Sequence, residues 1–489
     1  MAQCALKAAI ASKATATAAA ALPTKHDDAA PAPVFSTLDR TSVGYLVLVW
    51  CVMVVGSSND YSLAENSNFI PTALSFTGSQ WGDLVGGITY YIRAAVIILL
   101  VGFIFDNIPN MRWTSYMLTL SAVASIGFPL TTSFGEWMAF RILYTVTGGA
   151  SFYILCCNIA YSIPDQFHGL AAAVVGAGAA GSDLLAIVLE RVFTTQWRGS
   201  FYVDVSLMLG LALLCFFLPE ARTSKHKSDT FKEIANTYRV FFRVCVNSFA
   251  PAMMFVGLAV QGFVYSSTTL TQQWLVHDLG KNPDDVASIM IVMPFVQLLG
   301  TLTIGVVGDL LKPHGVKYWV TGASFGTVGI IACIVMTHCS STNAGFWIFL
   351  VLQQLCVFAP GSMMVVGLLE ILPESLYATG TALGYGAFTL FFGMGGKIAQ
   401  DQAVGWTLDH ATIAGHPGAY AYGFLLLHYV GLVQIPAVAI GVWALKRDKE
   451  KVARLCAEAG PLLEHKNDPL ALEAEGGVPA GGLCCGGCV

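Results

Sequence analysis

Twelve apolar stretches, each near the ~20 residues that a helix needs to cross hydrocarbon, dominate this chain. They begin near Gly44, Trp81, Trp113, Trp137, Gly169, Tyr202, Pro251, Val286, Trp319, Phe346, Ala378 and Tyr422. Charged residues make up only 11% of the 489 positions, against about 25% in soluble proteins. Most of the surface therefore does not face water. The net charge of −5 is small for this length and gives no ground for a nucleic-acid partner. The expected fold is an all-α membrane protein of about twelve transmembrane helices.

The longest polar stretch between spans, residues 220–245, separates the sixth apolar run from the seventh. The expected organisation is a disordered N-terminal tail (1–40), a six-helix bundle (41–219), a linker (220–245), a second six-helix bundle (246–446) and a C-terminal tail (447–489). The first 40 residues are rich in Ala, Thr and Pro. Their opening also has lysines and hydroxyl residues without an acid, as organelle transit peptides do. Of the thirteen cysteines, Cys51, Cys156, Cys157, Cys215, Cys333 and Cys356 lie within apolar runs, where a thiol packs as a small hydrophobe. None has zinc-ligand spacing with histidines.

Orientation follows from Lys and Arg in short loops. The linker carries Arg222, Lys225, Lys227, Lys232, Arg239 and Arg243. Arg112, Lys312, Lys317, Lys446, Arg447, Lys449 and Lys451 fall on the same side. The segment "NDYSLAENSNFIPTALSFTGSQ" on the other side has acids and no base; Arg191, Arg198, Lys281 and Lys397 are exceptions. Linker and both termini are expected to be cytoplasmic.

Two features recur in both halves. "GFIFD" sets Gly102 four residues before Asp106, and "GVVGD" sets Gly305 four before Asp309, with Gly308 between. "IPDQFHGLAAA" in the first half answers "LPESLYATGTA" in the second. Two parallel repeats related by an axis along the membrane normal are a known transporter architecture, with the substrate near the midplane. The chain resembles the major facilitator superfamily over roughly residues 42–446. The G-x-x-x-D pattern after the second span and its copy after the eighth carry that resemblance. So do "RILYTVTGGA" with Arg141, Gly148 and Gly149, and "WRGSF" followed by "LPEA". The basic cluster usual after the first copy is replaced by Asn107, Pro109, Asn110 and Met111, leaving Arg112. The resemblance implies two parallel six-helix pseudo-repeats and secondary transport by alternating access.

Charges inside the membrane cost a few kcal/mol each (about 3 on the most lenient scale) and mark functional candidates. Asp60 follows "VVGSSN" at the outer end of the first span. That segment resembles the start of proton-coupled metabolite and sugar symporters, in which an acid pairs with the arginine of the fourth span, here Arg141. A carboxylate facing a guanidinium stays charged, and burial favours its protonated form once the pair parts. Motion that makes and breaks the pair would thus couple proton uptake to conformation. Alternatively Asp60 is wet beside Glu65, and Arg141 snorkels to the headgroups. Arg93, with Tyr90 and Tyr91 beside it, lies about 13 Å along the helix from Gly102. It could hold an anionic group of the solute, or pair with Asp83 or Asp183.

Tyr265, Gln272, Gln273 and Trp274 of the seventh span form a polar–aromatic stripe suited to a neutral or zwitterionic solute. Gln297, Gln353 and Gln354 add amides, which could equally join helices. Asp106 and Asp309 are expected to cap neighbouring helix N-termini on the cytoplasmic face, with Gly102, Arg112, Gly305 and Gly308 completing the gate; Glu370, before "ILPES", resembles the acid that closes the second-half version of this network in the family. Near the C-terminus, Cys484, Cys485 and Cys488 are candidates for palmitoylation, and "EAGPLL" resembles an acidic dileucine sorting signal.

No G-x-x-x-x-G-K-[ST] phosphate loop, HExxH or catalytic triad occurs, so no cofactor or enzymatic chemistry is expected. The reading is a monomeric secondary transporter in the plasma or an endosomal or vacuolar membrane. Its cargo is a small polar organic solute, with protons as the coupling ion. An organic-anion exchanger or a uniporter is the second reading, and a non-transporting receptor of the same fold the third.

Overall fold

The computed structural model of the chain describes residues 40–65, 70–85, 110–156, 162–193, 196–219, 231–265, 271–339, 342–357 and 418–445, with isolated positions within 89–96, 360–370 and 447–454. Among them all regular structure is helical, as hydrocarbon requires of segments whose backbone groups must be satisfied internally. The first half comprises α1 (Arg40–Glu65), the short α2 (Ile70–Leu74) and α3 (Gly78–Val85), then α4 (Asn110–Leu130), α5 (Phe134–Cys156), α6 (His168–Val192) and α7 (Arg198–Phe217). The linker helix α8 (Phe231–Asn247) leads to the second half: α9 (Phe249–Tyr265), α10 (Thr271–His277), α11 (Pro283–Leu311), α12 (Tyr318–Thr337), α13 (Ala344–Val357) and α14 (Ala419–Gly431). The apolar run beginning near Ala378 lies outside the described residues.

Among the described residues six segments are long and apolar enough to cross a bilayer: Arg40–Leu63, His168–Val192, Arg198–Phe217, Ser288–His314, Tyr318–Thr337 and Ala421–Leu445. α4 and α5 have the length, 21 and 23 residues. They are less apolar because Thr114, Ser121 and Ser125 on α4, and Arg141, Thr145 and Ser151 on α5, turn into the bundle. A 96° bend separates Phe241–Asn247 of α8 from Ala252–Gln261 of α9. The end of the amphipathic α8 therefore runs nearly crosswise to the seventh span.

Each span divides into a protein-facing and a lipid-facing side. On α7, Phe201, Val205, Met208, Ala212 and Cys215 are buried at helical spacing, while Leu209, Leu213, Leu214 and Phe217 are exposed. In a bilayer these exposed side chains meet lipid, and helix association relies instead on close packing of small residues. α6 supplies that packing. Its Gly178 abuts Met53 of α1, where a Cβ would collide with the methionine side chain. Its first turns face the other half, where Ala172 and Ala173 join Ile304, Tyr318, Met363 and Val366 in one apolar cluster. α6 thus touches α1 on one side and α11 on the other.

Candidate functional site

Asp60 and Arg141 meet inside the first half. Arg141 Nη1 donates to Asp60 Oδ1 at 2.5 Å, and Nε donates to the Leu84 carbonyl of α3 at 2.8 Å. Arg141 is fully buried and Asp60 is 8% exposed, so neither is a wet loop residue or a snorkelling cation. Nη2 has no acceptor among the described residues.

The pair depends on close approach of α1 and α5. A Cβ on Gly148 would lie 2.8 Å from the Gly56 carbonyl oxygen, and Tyr144 donates its hydroxyl to that same oxygen at 2.6 Å. Tyr144 is three residues from Arg141, hence on the same face of α5. Gly148→Val is expected to wedge the spans apart at a cost of about 1–3 kcal/mol. It should lower the Tm of the purified protein and reduce transport. An unchanged Tm would contradict the tightness of this contact.

A second cluster lies at the opposite, linker-side end, between the halves. Asp309 of α11 accepts hydrogen bonds from the backbone N–H groups of Gly169 and Leu170, both at 2.8 Å, and from the Tyr318 hydroxyl at 2.7 Å. The first two bonds satisfy orphan donors in the first turn of α6, where a carboxylate also complements the helix dipole. Only glycine fits at 169, since a Cβ there would stand 2.5 Å from Asp309 Oδ1 and 2.8 Å from the Gly305 carbonyl. Gly308 lies against Tyr318 and Met363. Glu370 accepts from the Tyr318 N–H at 3.1 Å, and Lys317 Nζ stands 3.7 Å from its other oxygen. Burial pushes the Glu370 carboxyl up from its ordinary range, and Lys317 offsets only part of that rise. Arg112 is exposed at the start of α4, beside the buried Asn110 and Met111.

In the second half, Gln297 Nε2 donates to Gln354 Oε1 at 2.6 Å, and Gln354 Nε2 donates to Gln353 Oε1 at 2.8 Å. This amide ladder ties α11 to α13. Trp274 is 1% exposed and packs on Phe346, with ring centroids 5.4 Å apart, in an apolar cluster with Leu275 and Leu350. Tyr265, Gln272 and Gln273 sit on described helices, but their side chains lie outside the described residues, as do Arg93, Tyr90, Gly102, Asp106 and the tail cysteines Cys484, Cys485 and Cys488. Asp83 is exposed and Asp183 half-buried.

One buried acid of the first half escaped the sequence reading. Asp204 of α7 is fully buried and accepts a hydrogen bond from Ser58 of α1 at 2.9 Å. It is the one acid within "RGSFYVDVSLMLGLALLCFF", a signal that was available. Starting the sixth span at Tyr202 put it at the boundary.

The family model described as Major Facilitator Superfamily matches residues 41–399. Among solved structures the chain is similar to a bacterial homologue of the human lysosomal transporter Spinster, in crystal structures of its inward-facing unoccupied and occupied conformations. The first matches with TM-score 0.56 at 16% identity, covering 86% of this chain and 99% of the other. The second gives 0.53 at 16% identity, covering 84% and 98%. At that identity the likeness shows the fold alone. No curated protein matches.

Proposed function

Because the chain belongs to the Major Facilitator Superfamily, we propose that it carries a small polar organic solute by proton-coupled symport, with Asp60 and Arg141 as the coupling pair. Membrane transport by alternating access, without enzymatic chemistry, comes with the family itself. The buried ion pair at 2.5 Å carries the finer reading. Arginine keeps its charge under all ordinary conditions, so Arg141 needs a counter-charge while it is buried. Asp60 supplies one. A proton on Asp60 removes it, and the attraction between α1 and α5 falls. α1 packs on α6, and α6 packs on α11, so a shift of α1 has a contiguous route of packed side chains to the interface between the halves.

At that interface Asp309 ties the second half to the first turn of α6. The basic linker supports a cytoplasmic position for residues 220–245 and for both tails, which makes the Asp309 cluster a cytoplasmic lock, closed here. Gly305 lets the two halves come close enough to engage it, Gly308 makes room for Tyr318 and Met363 within the second half, and Glu370 steadies α12 beside it. In this reading the bundles 41–219 and 246–446 rock against each other when the lock opens. The solute would lie between them, within reach of the amide ladder and of Tyr265, Gln272 and Gln273.

The test is uptake into proteoliposomes of a panel of sugars, amino acids, peptides and carboxylates, with and without an imposed pH gradient. Accumulation above equilibrium only with the gradient is expected. Stimulation by solute on the opposite side, without any gradient, would favour an exchanger instead. One observation favours that second reading: Arg141 Nη2 lacks an acceptor among the described residues and could receive a carboxylate of an anionic solute.

A further inference from the structure

Asp204 belongs to no part of the Asp60–Arg141 pair or the Asp309 lock. It lies six residues into α7, about 9 Å along the axis from Arg198, with no exposed surface. Among the described residues its ligands are hydroxyls of α1. Ser58 Oγ stands 2.9 Å from Oδ1, and the Ser62 hydroxyl, one helical turn on, faces the same carboxylate. Oδ2 has no hydrogen-bond donor at bonding distance among the described residues. Beside it on the same two helices, Asn59 donates to Ser125 of α4, and Ser125 in turn contacts the Met208 sulfur.

Among the described side chains no charged group of the neighbouring helices bonds to Asp204; that of Glu65, three residues beyond Ser62 on α1, lies outside them. From α1, Asp60 is held by Arg141. From α4 the only charged residue is Arg112, exposed at the far end. From α6 come Asp183, itself an acid, and Glu190 with Arg191 in its last turn, at the end of the bundle where α7 begins. On α7, Arg198 Nε donates to the Pro129 carbonyl, and its guanidinium lies over the Trp197 ring. An ionised carboxylate fully removed from water costs several kcal/mol (~5 or more) unless a cation or several donors offset it. One well-placed hydroxyl does not. A neutral acid suits the site: Oδ1 accepts from Ser58, and the acid O–H can donate to Ser62.

We propose that Asp204 is a second proton-binding site of the first bundle, holding its proton as a carboxylic acid between Ser58 and Ser62 and releasing it when α1 and α7 separate. This deepens the proton-coupled reading and rests on it for its part in transport. Protonation is the simple equilibrium between carboxylate plus proton and carboxylic acid, so no co-reactant is needed. Since α1 carries both Asp60 and the serines that clamp Asp204, movement of α1 would change both sites at once.

The test is infrared spectroscopy of the full-length protein in lipid, following the C=O stretch of protonated carboxylic acids through a pH step in light and heavy water. A band equal to one carboxyl group is expected. It should shift in heavy water, fall as pH rises, vanish in Asp204→Asn and persist in Asp60→Asn. A band spectrum identical in wild type and Asp204→Asn would overturn the assignment, and so would a band insensitive to both pH and heavy water. Loss of the band on adding sodium at fixed pH would overturn it in favour of a sodium site. If Asp204→Asn does not assemble, Asp204→Glu must move the band, and failure to do so counts against the proposal. Should the band behave as expected while uptake ignores a pH gradient, the proton site stands and the symport reading falls.

Discussion

Asp60→Asn is expected to abolish accumulation of solute against its gradient while leaving downhill movement and solute exchange measurable. The amide keeps the shape of the carboxyl but cannot take up a proton, so the pH gradient loses its handle on α1. The same change leaves the buried Arg141 guanidinium without its counter-charge, which costs about 3–5 kcal/mol when one member of a buried pair is removed. A lower Tm in lipid nanodiscs should accompany the loss of coupling. The double variant Asp60→Asn/Arg141→Gln removes the stranded charge, and should recover Tm but not coupling. Arg141→Lys should fail on both counts, since an ammonium cannot span the Asp60 carboxylate and the Leu84 carbonyl as the guanidinium does. A single Asp60→Asn variant that still accumulates solute uphill with unchanged pH dependence would sink the coupling role.

Asp309→Ala is expected to open the interface between the halves. It deletes three hydrogen bonds to one carboxylate, two of them crossing to the first turn of α6. Bonds to charged groups contribute about 1.5–3 kcal/mol each. Loss of even one is worth a tenfold or larger change in the ratio of closed to open forms, since about 1.4 kcal/mol is tenfold. The change can be followed by alkylation of Ala173→Cys, a buried site in the cluster between the halves, in a background lacking the native cysteines. Its labelling should accelerate at least tenfold when Asp309→Ala is added. An equal rate in both backgrounds would mean that the carboxylate does not hold the halves together. Tyr318→Phe removes only one of the three bonds and should give an intermediate rate.

Much of the architecture was legible because hydrocarbon leaves a chain few options. Runs of about 20 apolar residues can hardly be anything but spanning helices, and the paired glycine–aspartate motifs gave the internal repeat. Asp60 and Arg141 stood out because charge in an apolar setting is costly and therefore conspicuous, and Asp309 because it closes the second copy of the glycine–aspartate motif. The partners of Asp309 were less so. That it reaches the N–H groups of Gly169 and Leu170, 140 and 139 residues away, depends on how α6 and α11 pack, which no local pattern encodes.

Facing direction was the least legible property. A span that is apolar on every side has no stripe to say which side faces lipid, so Trp274 read as a ring near solute although it packs against Phe346. The glutamines carried the same ambiguity, and Gln297 and Gln354 bond to each other across α11 and α13. Asp204 was overlooked through a boundary error of four residues, since α7 begins at Arg198 and not at Tyr202. The bend between α8 and α9 was marked only as a break, by Ser248 and by Pro251 in the first turn of α9, and such a helix-start signal carries no angle.

The most direct test of the central claim is the proton flux itself. Proteoliposomes carrying the full-length protein and a pH-sensitive dye in the lumen would be given a solute that the uptake panel identifies. The account predicts that solute entry acidifies the lumen of wild-type vesicles, and that Asp60→Asn vesicles admit solute without acidification. Solute entry into wild-type vesicles with no change in luminal pH, or equal acidification in the variant, would contradict it.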